Sequence, residues 1–313
     1  MAFESPISRN RGSGSNRSKP ERDMRKISAR FSGLAGEFSW RNHLQCENQN
    51  CPFRNPVKRF LHWRSEEGVL LQGRWYCGLD CFEQAMTDVF AGLLRLPDEP
   101  LARLHRVPLG LLLLGRGIIS DVQLKSALEA QREAGVGRLG RWLVRLGVAS
   151  AQDVSTALAA QWGCGLFPLE RDHRYRECSL MLPLALLESS RMLPVHFLPA
   201  SELLFVAFSE DIDHTSLYSI ERLRGGRTEP CVVTESAMEQ AFEEIRGVSR
   251  PTEIVFETLW GASEMARTVR DYAVKLGADD LRLARPRRFL WVRLRASGDS
   301  WDLLFRSPTA KLS

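Results

Sequence analysis

PLGLLLLGRGIISDVQLKSALEAQ, residues Pro108–Gln131, and RLGRWLVRLGVASAQDVSTALAAQ, residues Arg138–Gln161, are one pattern written twice. The copies superpose without a gap at an offset of 30 residues, so that Leu109/Leu139, Gly110/Gly140, Leu113/Leu143, Gly117/Gly147, Ser120/Ser150, Ala127/Ala157, Leu128/Leu158, Ala130/Ala160 and Gln131/Gln161 coincide. A tandem copy of one supersecondary unit implies two similar pieces, each covering the other's apolar face. Within each copy, glycines bracket a short helical run, Leu111–Arg116 and then Arg141–Leu146. Ser120 and Ser150 stand where an N-cap accepts a backbone N–H, ahead of helices over Asp121–Gln131 and Ala151–Gln161. Each copy is thus expected to be a helical hairpin with a glycine at its joint.

Downstream the character changes. PLALLESS predicts a short helix, and Leu193–Leu198 and Leu203–Ala207 are apolar runs of strand length. A helix is expected over His214–Leu223 and is ended by Gly225-Gly226. A strand over Glu229–Val233 and a helix over Ser236–Arg246 follow. Alternating strands and helices indicate a small α/β layer. After a linker at Gly247–Pro251, an amphipathic helix is expected over Thr252–Leu276. Strands at Asp280–Ala284, Phe289–Arg295 and Trp301–Phe305 then look like the opening of a further α/β domain.

Upstream, Cys46 and Cys51 have four intervening residues and Cys77 and Cys81 have three. Two close cysteine pairs suit tetrahedral zinc, because each short loop presents two thiolates to one ion. Gly68–Tyr76 predicts a hairpin turning at Gln72-Gly73. Asp80 is a candidate cap for a helix from near Cys81, with Phe82, Ala85, Met86, Val89, Phe90, Leu93 and Leu94 on its apolar face. Knuckle, hairpin, then a knuckle opening a helix resembles a treble-clef zinc finger. The implied zinc is structural, since four thiolates leave no open position for water. His43 and His62 are the alternative ligands.

These readings add up to an α+β multidomain chain. A disordered basic leader spans 1–38, a small treble-clef zinc finger with helix 39–97, and the tandem helical-hairpin repeat 98–169. A small α/β subdomain spans 170–247, and a helix with short strands, a partial C-terminal α/β domain, spans 251–313. The chain has 313 residues, 44% hydrophobic, with a net charge of +5. Much of that charge lies in the leader, so the basic balance is no nucleic-acid signature. The finger's aromatics Phe53, Phe60, Trp63 and Trp75 also lack the spacing of a base-stacking module. Seven cysteines with four clustered suggest a reducing compartment. No secretory signal and no apolar run of about 20 residues is present, and a cytoplasmic location is expected.

The repeat and the α/β segment together resemble the N-terminal domain of the type II secretion and type IV pilus assembly ATPases. That family carries two copies of R-L-G-x-x-L-x-x-x-G, a capped helix and a closing A-L-x-x-Q. A segment like MLPVHFLPASELLFVAFSEDIDHTSLYSIERL follows, and the match runs from about Leu104 to Arg246. KLGADDLRLARPRRFLWVRLRASG also looks like the start of those ATPases' second domain. In some members the tandem motif is a receptor for cyclic di-GMP. The resemblance implies a ligand site at Leu109, Gly110, Leu113, Gln131, Arg138, Leu139, Gly140, Leu143 and Gln161, with Arg138 bonding a phosphate or guanine edge. This chain departs from the pattern at Pro108, where the motif has Arg; Arg106 and Arg116 are the candidate substitutes.

The enzymatic half of the family has no counterpart here. G-x-x-x-x-G-K-[ST] does not occur, nor do the metalloprotease and serine-hydrolase motifs. Cys164, Cys178 and Cys231 are expected to be packed thiols. Three functions stay open. The first is a non-catalytic regulator or adaptor that senses cyclic di-GMP and acts on a protein partner of a secretion or pilus machine. The second is a purely structural docking module without nucleotide. The third is a zinc-finger regulator bound to nucleic acid.

Overall fold

The computed structural model describes residues 46–52, 54, 69–71, 74–96, 106–248, 252–258 and 260–307. The basic leader, His43 and His62, and the hairpin turn Gln72-Gly73 lie outside them. The described residues form an α+β chain with one two-stranded and two four-stranded sheets. Among them, no helix is long and apolar enough to cross a membrane.

The first element is an antiparallel hairpin of β1 (Val69–Leu71) and β2 (Arg74–Tyr76), followed by α1 (Leu79–Arg95). α1 starts at Leu79, near Cys81 as expected. Its N-cap is Gly78, with no side-chain cap bond, so Asp80 sits in the first turn and is not the cap. There its charge favours the positive end of the helix dipole.

The tandem repeat follows as α2 (Leu109–Gly115), α3 (Asp121–Ala134), α4 (Leu139–Arg145) and α5 (Ala151–Trp162). Both serines cap as expected, each in a reciprocal box. The Ser120 hydroxyl accepts from the Gln123 N–H at 3.3 Å while the Gln123 side chain accepts from the Ser120 N–H at 2.8 Å. Ser150 and Asp153 repeat the pair at 3.0 Å in both directions. The hairpins interlock. α2 packs on α5 and α4 on α3, so each copy's short helix lies against the other copy's long one. Leu113, Ile119, Ala127, Leu143, Ala149, Val154 and Ala157 form the shared core.

The middle layer has the strand order β3-β6-β5-β4: β3 is Gly165–Leu166, β4 Met192–Leu198, β5 Leu203–Phe208 and β6 Arg227–Val232. β3, β6 and β5 run parallel and β4 pairs antiparallel with β5. Its helices are α6 (Tyr175–Cys178), α7 (Leu184–Ser190), α8 (His214–Arg224) and α9 (Glu235–Arg246). Sequence reasoning missed β3 and α6, which are two and four residues long. Elements that short carry no periodicity.

The C-terminal sheet has the order β7-β10-β9-β8, with β7 Glu253–Phe256, β8 Asp280–Ala284, β9 Phe289–Ala296 and β10 Asp299–Arg306. The helix expected over Thr252–Leu276 is therefore two elements. Glu253–Phe256 is a strand, parallel to β10, and only Ala262–Leu276 is helical (α10). The run Ile254-Val255-Phe256 is β-branched and aromatic, and Glu264 accepts from the Gly261 N–H at 2.9 Å to start the helix there.

Alternation along β9 and β10 gives this sheet two buried faces. Phe289, Trp291 and Leu304 join the core of the middle layer. Leu290, Val292, Leu294, Leu303 and Phe305 face the other way, onto Met265, Ala266, Val269 and Ala273 of α10 and onto Phe82, Met86 and Phe90 of α1. The segments expected as separate units at 39–97 and 251–313 thus share one hydrophobic core in their described parts. Glu83 on α1 pairs with Arg270 and Arg267 on α10. The Arg285 guanidinium donates to the carbonyls of Leu93 and Leu96 at the end of α1.

Candidate functional site: a four-cysteine centre and the tandem repeat

Two turns bring the four cysteines together. Residues 46–51 are shaped by Asn48, which is buried. Its carbonyl oxygens accept from the N–H groups of Asn50 at 2.9 Å and Cys51 at 3.1 Å, and its amide donates to Gln84 on α1 at 2.8 Å. The second turn is the entry to α1, with Cys77 ahead of it and Cys81 in its first turn. The ligand atoms of Cys46, Cys51, Cys77 and Cys81 all lie within 4.8 Å of one another. Cys51 and Cys77 Sγ are 3.4 Å apart, Cys77 and Cys81 Sγ 3.3 Å, and the Cys77 N–H points to Cys46 Sγ at 3.4 Å. None of the four is in a disulfide.

This donor set fits a metal ion. Thiolates about 2.3 Å from one tetrahedral zinc lie about 3.8 Å from each other. Burial above all, with smaller contributions from the neighbouring thiols, pushes Cys77 up and Cys81 up to about 11. The four cysteines could hold a metal ion.

In the tandem repeat the candidate residues fall into four groups, of which Arg138 is the last. Leu113 and Leu143 are fully buried in the repeat core. Gly110 and Gly140 are where the two copies cross. A Cβ on Gly110 would meet Leu124 Cδ1 at 2.8 Å and Leu139 Cδ2 at 3.2 Å; on Gly140 it would meet Val154 Cγ1 at 2.8 Å and Leu109 Cδ2 at 3.3 Å. Leu109 and Leu139 thus each lie over the other copy's glycine, an approximate two-fold exchange. Gln131 and Gln161 obey the same symmetry. The Gln131 amide donates to the Gly137 carbonyl at 2.8 Å and that of Gln161 to the Val107 carbonyl at 2.7 Å, closing the segment that leads into α4 and α2 respectively.

Arg138 is the N-cap of α4, half exposed at the junction with the middle layer. Its guanidinium lies 3.0 Å from Glu210 and 2.5 Å from Asp211. One turn on, Arg141 pairs with Glu235 and lies 3.8 Å from Glu210. The copy-one position of Arg138 is Pro108. Two residues before it, the Arg106 guanidinium sits over the Trp162 ring at 3.2 Å from the centroid. Arg116 stands at the far end of α2, as its C-cap.

Sequence reasoning missed Glu210, Asp211 and Glu235, and it missed the stack of Arg106 on Trp162. The signal available was an acid pair directly after a strand. The signal not available was which arginines would face it.

No family model matches the chain. One curated relative, the type IV pilus assembly ATPase PilB of Thermus thermophilus, is 31% identical over 129 residues, which cover 41% of this chain. The match spans 14% of that relative's length. Solved structures with local likeness include MshE with cdg, 28% identical, covering 45% of this chain and 99% of that one at a TM-score of 0.39. Another is the N-terminal domain of XpsE, 22% identical, covering 43% of this chain and 91% of that one at a TM-score of 0.31. The chain carries a region that resembles the N-terminal domain of the type II secretion and type IV pilus assembly ATPases.

Proposed function

We propose that this chain is a non-catalytic regulatory or adaptor component, related to those N-terminal domains, that senses cyclic di-GMP through its tandem repeat and signals to a protein partner of a secretion or pilus machine. The observation that carries this reading is the reciprocity of the two copies. Leu109 over Gly140 mirrors Leu139 over Gly110, and Gln161 to Val107 mirrors Gln131 to Gly137. Cyclic di-GMP has two-fold symmetry of its own, so a two-fold protein frame can meet each half with equivalent groups. Arg138 supplies a charge-assisted donor beside that frame. In this reading the chain acts in the cytoplasm, and the four cysteines hold a structural zinc.

Pro108 favours a second reading, in which the repeat is a docking scaffold that binds no nucleotide. Proline carries neither charge nor donor, so one of two equivalent contacts is lost.

Calorimetric titration of the full chain with cyclic di-GMP, beside Arg138→Ala, tests the choice. The expected result is binding at micromolar concentration or tighter that the substitution abolishes. No heat from folded protein would remove the sensor and leave the scaffold.

A further inference from the structure

The carboxylates facing Arg138 stand where an α/β sheet ordinarily receives a ligand. β5 and β6 are parallel, and Glu210 and Asp211 follow the carboxyl end of β5 while Glu235 follows that of β6. Ligands of open α/β sheets bind outside the carboxyl ends of the strands. Here that edge faces the tandem repeat, and acidic side chains of the chain itself occupy it. Asp213, next in line, is committed elsewhere, accepting from the Ser216 N–H at 3.1 Å as the cap of α8. Glu210 and Asp211 pair with arginines instead.

Asp211 pairs with one arginine and acts at longer range on another. Arg138 is in contact at 2.5 Å. The Asp211 charge also reaches Arg106, where it opposes the lowering that burial imposes on that guanidinium. Arg106 is held flat on Trp162, which His214 flanks at a ring separation of 5.9 Å. Trp162 Nε1 has no acceptor among the described residues. The ingredients are two cations, an aromatic platform and an unmet donor, with two carboxylates in contact with one of the cations.

We propose that Arg138 and Arg106 form a two-arginine anion site, that Asp211 with Glu210 is its internal occupant, and that a phosphate of the incoming ligand displaces those carboxylates. The inference rests on the reading of the repeat as a cyclic di-GMP site and adds two things to it. Arg106 supplies the cation that Pro108 withholds, and the acid pair lowers the affinity of the site. The displacement is feasible because the ion pairs are open to water. The Arg138 and Asp211 side chains are 53% and 56% exposed, and exposed pairs are individually weak. A phosphate brings more charge and more acceptor oxygens than one carboxylate.

The test is calorimetric titration of the full chain with cyclic di-GMP, using the parent, Glu210→Gln/Asp211→Asn and Arg106→Ala, with thermal unfolding of each as the folding control. The acid-neutralised variant is expected to bind about fivefold tighter or more, since two weak exposed pairs no longer compete. Arg106→Ala is expected to bind about tenfold weaker, the loss of one charge-assisted contact. Asp211→Asn alone replaces the double variant if the latter unfolds. Parent binding with unchanged affinity in the acid variant, or in Arg106→Ala, overturns this inference while the ligand reading stands. Absence of binding in every folded variant overturns both.

Discussion

Gly110 and Gly140 show how one residue type carries the meaning of the repeat. Gly140 has no room for a methyl group, because its Cβ would press on Val154 Cγ1 at 2.8 Å, whereas at Gly115, in the same repeat, a Cβ would meet nothing within 4 Å. Overpacking a tight crossing costs about 1–3 kcal/mol, and replacing glycine by alanine within a helix returns about 0.5–1 kcal/mol. Gly140→Ala is therefore expected to lower stability by about 1–2 kcal/mol. Gly115→Ala, at the end of α2, is expected to be neutral or mildly stabilising. Urea denaturation of the two variants checks the contrast; equal effects would mean that Gly140 is not tightly packed against Val154. The glycine pair was legible in the sequence, since it recurs at the repeat offset. Its reason was not, because the contacting Val154 and Leu124 belong to other helices.

Among the elements, β9 and β10 depend most on context. They pair antiparallel, with Arg293 opposite Asp302. Both are buried, and Asp302 accepts from Arg293 Nε at 2.7 Å and Nη2 at 2.8 Å and from Trp291 Nε1 at 2.7 Å. Arg293 Nη2 also donates to the Met181 carbonyl at 3.0 Å, tying the C-terminal sheet to the middle layer. A second tie is Glu253 on β7, whose carboxylate accepts from the N–H groups of Leu184 at 2.7 Å and Ala185 at 2.8 Å. It serves the α7 N-terminus, where Pro183 offers no side-chain cap. Removing one partner of a buried ion pair strands the other, at a cost of about 3–5 kcal/mol. Asp302→Ala is expected to lose that much in urea denaturation, while Arg293→Met/Asp302→Leu recovers most of it. Failure of the double variant to recover would mean that the bonds to Trp291 and Met181, and not the ion pair alone, carry the stability. The strands at 280–305 were legible from their alternation. The strand at 253–256 was hidden because a four-residue run abutting a helix reads as one more turn of it; only β10, parallel beside it, decides the matter.

Over the whole molecule, the cysteine centre and the C-terminal sheet are one physical unit. α1 leaves the second knuckle and covers α10 and the inner face of β9 and β10. A metal at the four cysteines would then hold the start of α1, and with it one wall of the C-terminal core. Chelator treatment, or Cys81→Ser, is expected to raise amide exchange in α10, β9 and β10 as well as in α1, with β4 and β5 less affected. Exchange confined to the residues before 96 would show that the C-terminal core stands without the knuckles.

What the sequence determined by itself was whatever short-range chemistry dictates. The duplicated serine caps and glycine joints, the paired cysteine spacing and the alternation of the later strands were all legible from neighbouring residues. What only the tertiary structure decided is which of these faces meet. α1 is paired with α10 across the whole intervening repeat and middle layer, and Arg138 is paired with Glu210 and Asp211. An apolar stripe or an arginine states that it needs a partner and leaves the partner open. The hydrophobic effect is non-directional and exposed charges are promiscuous, so the choice falls to the packing of the whole chain.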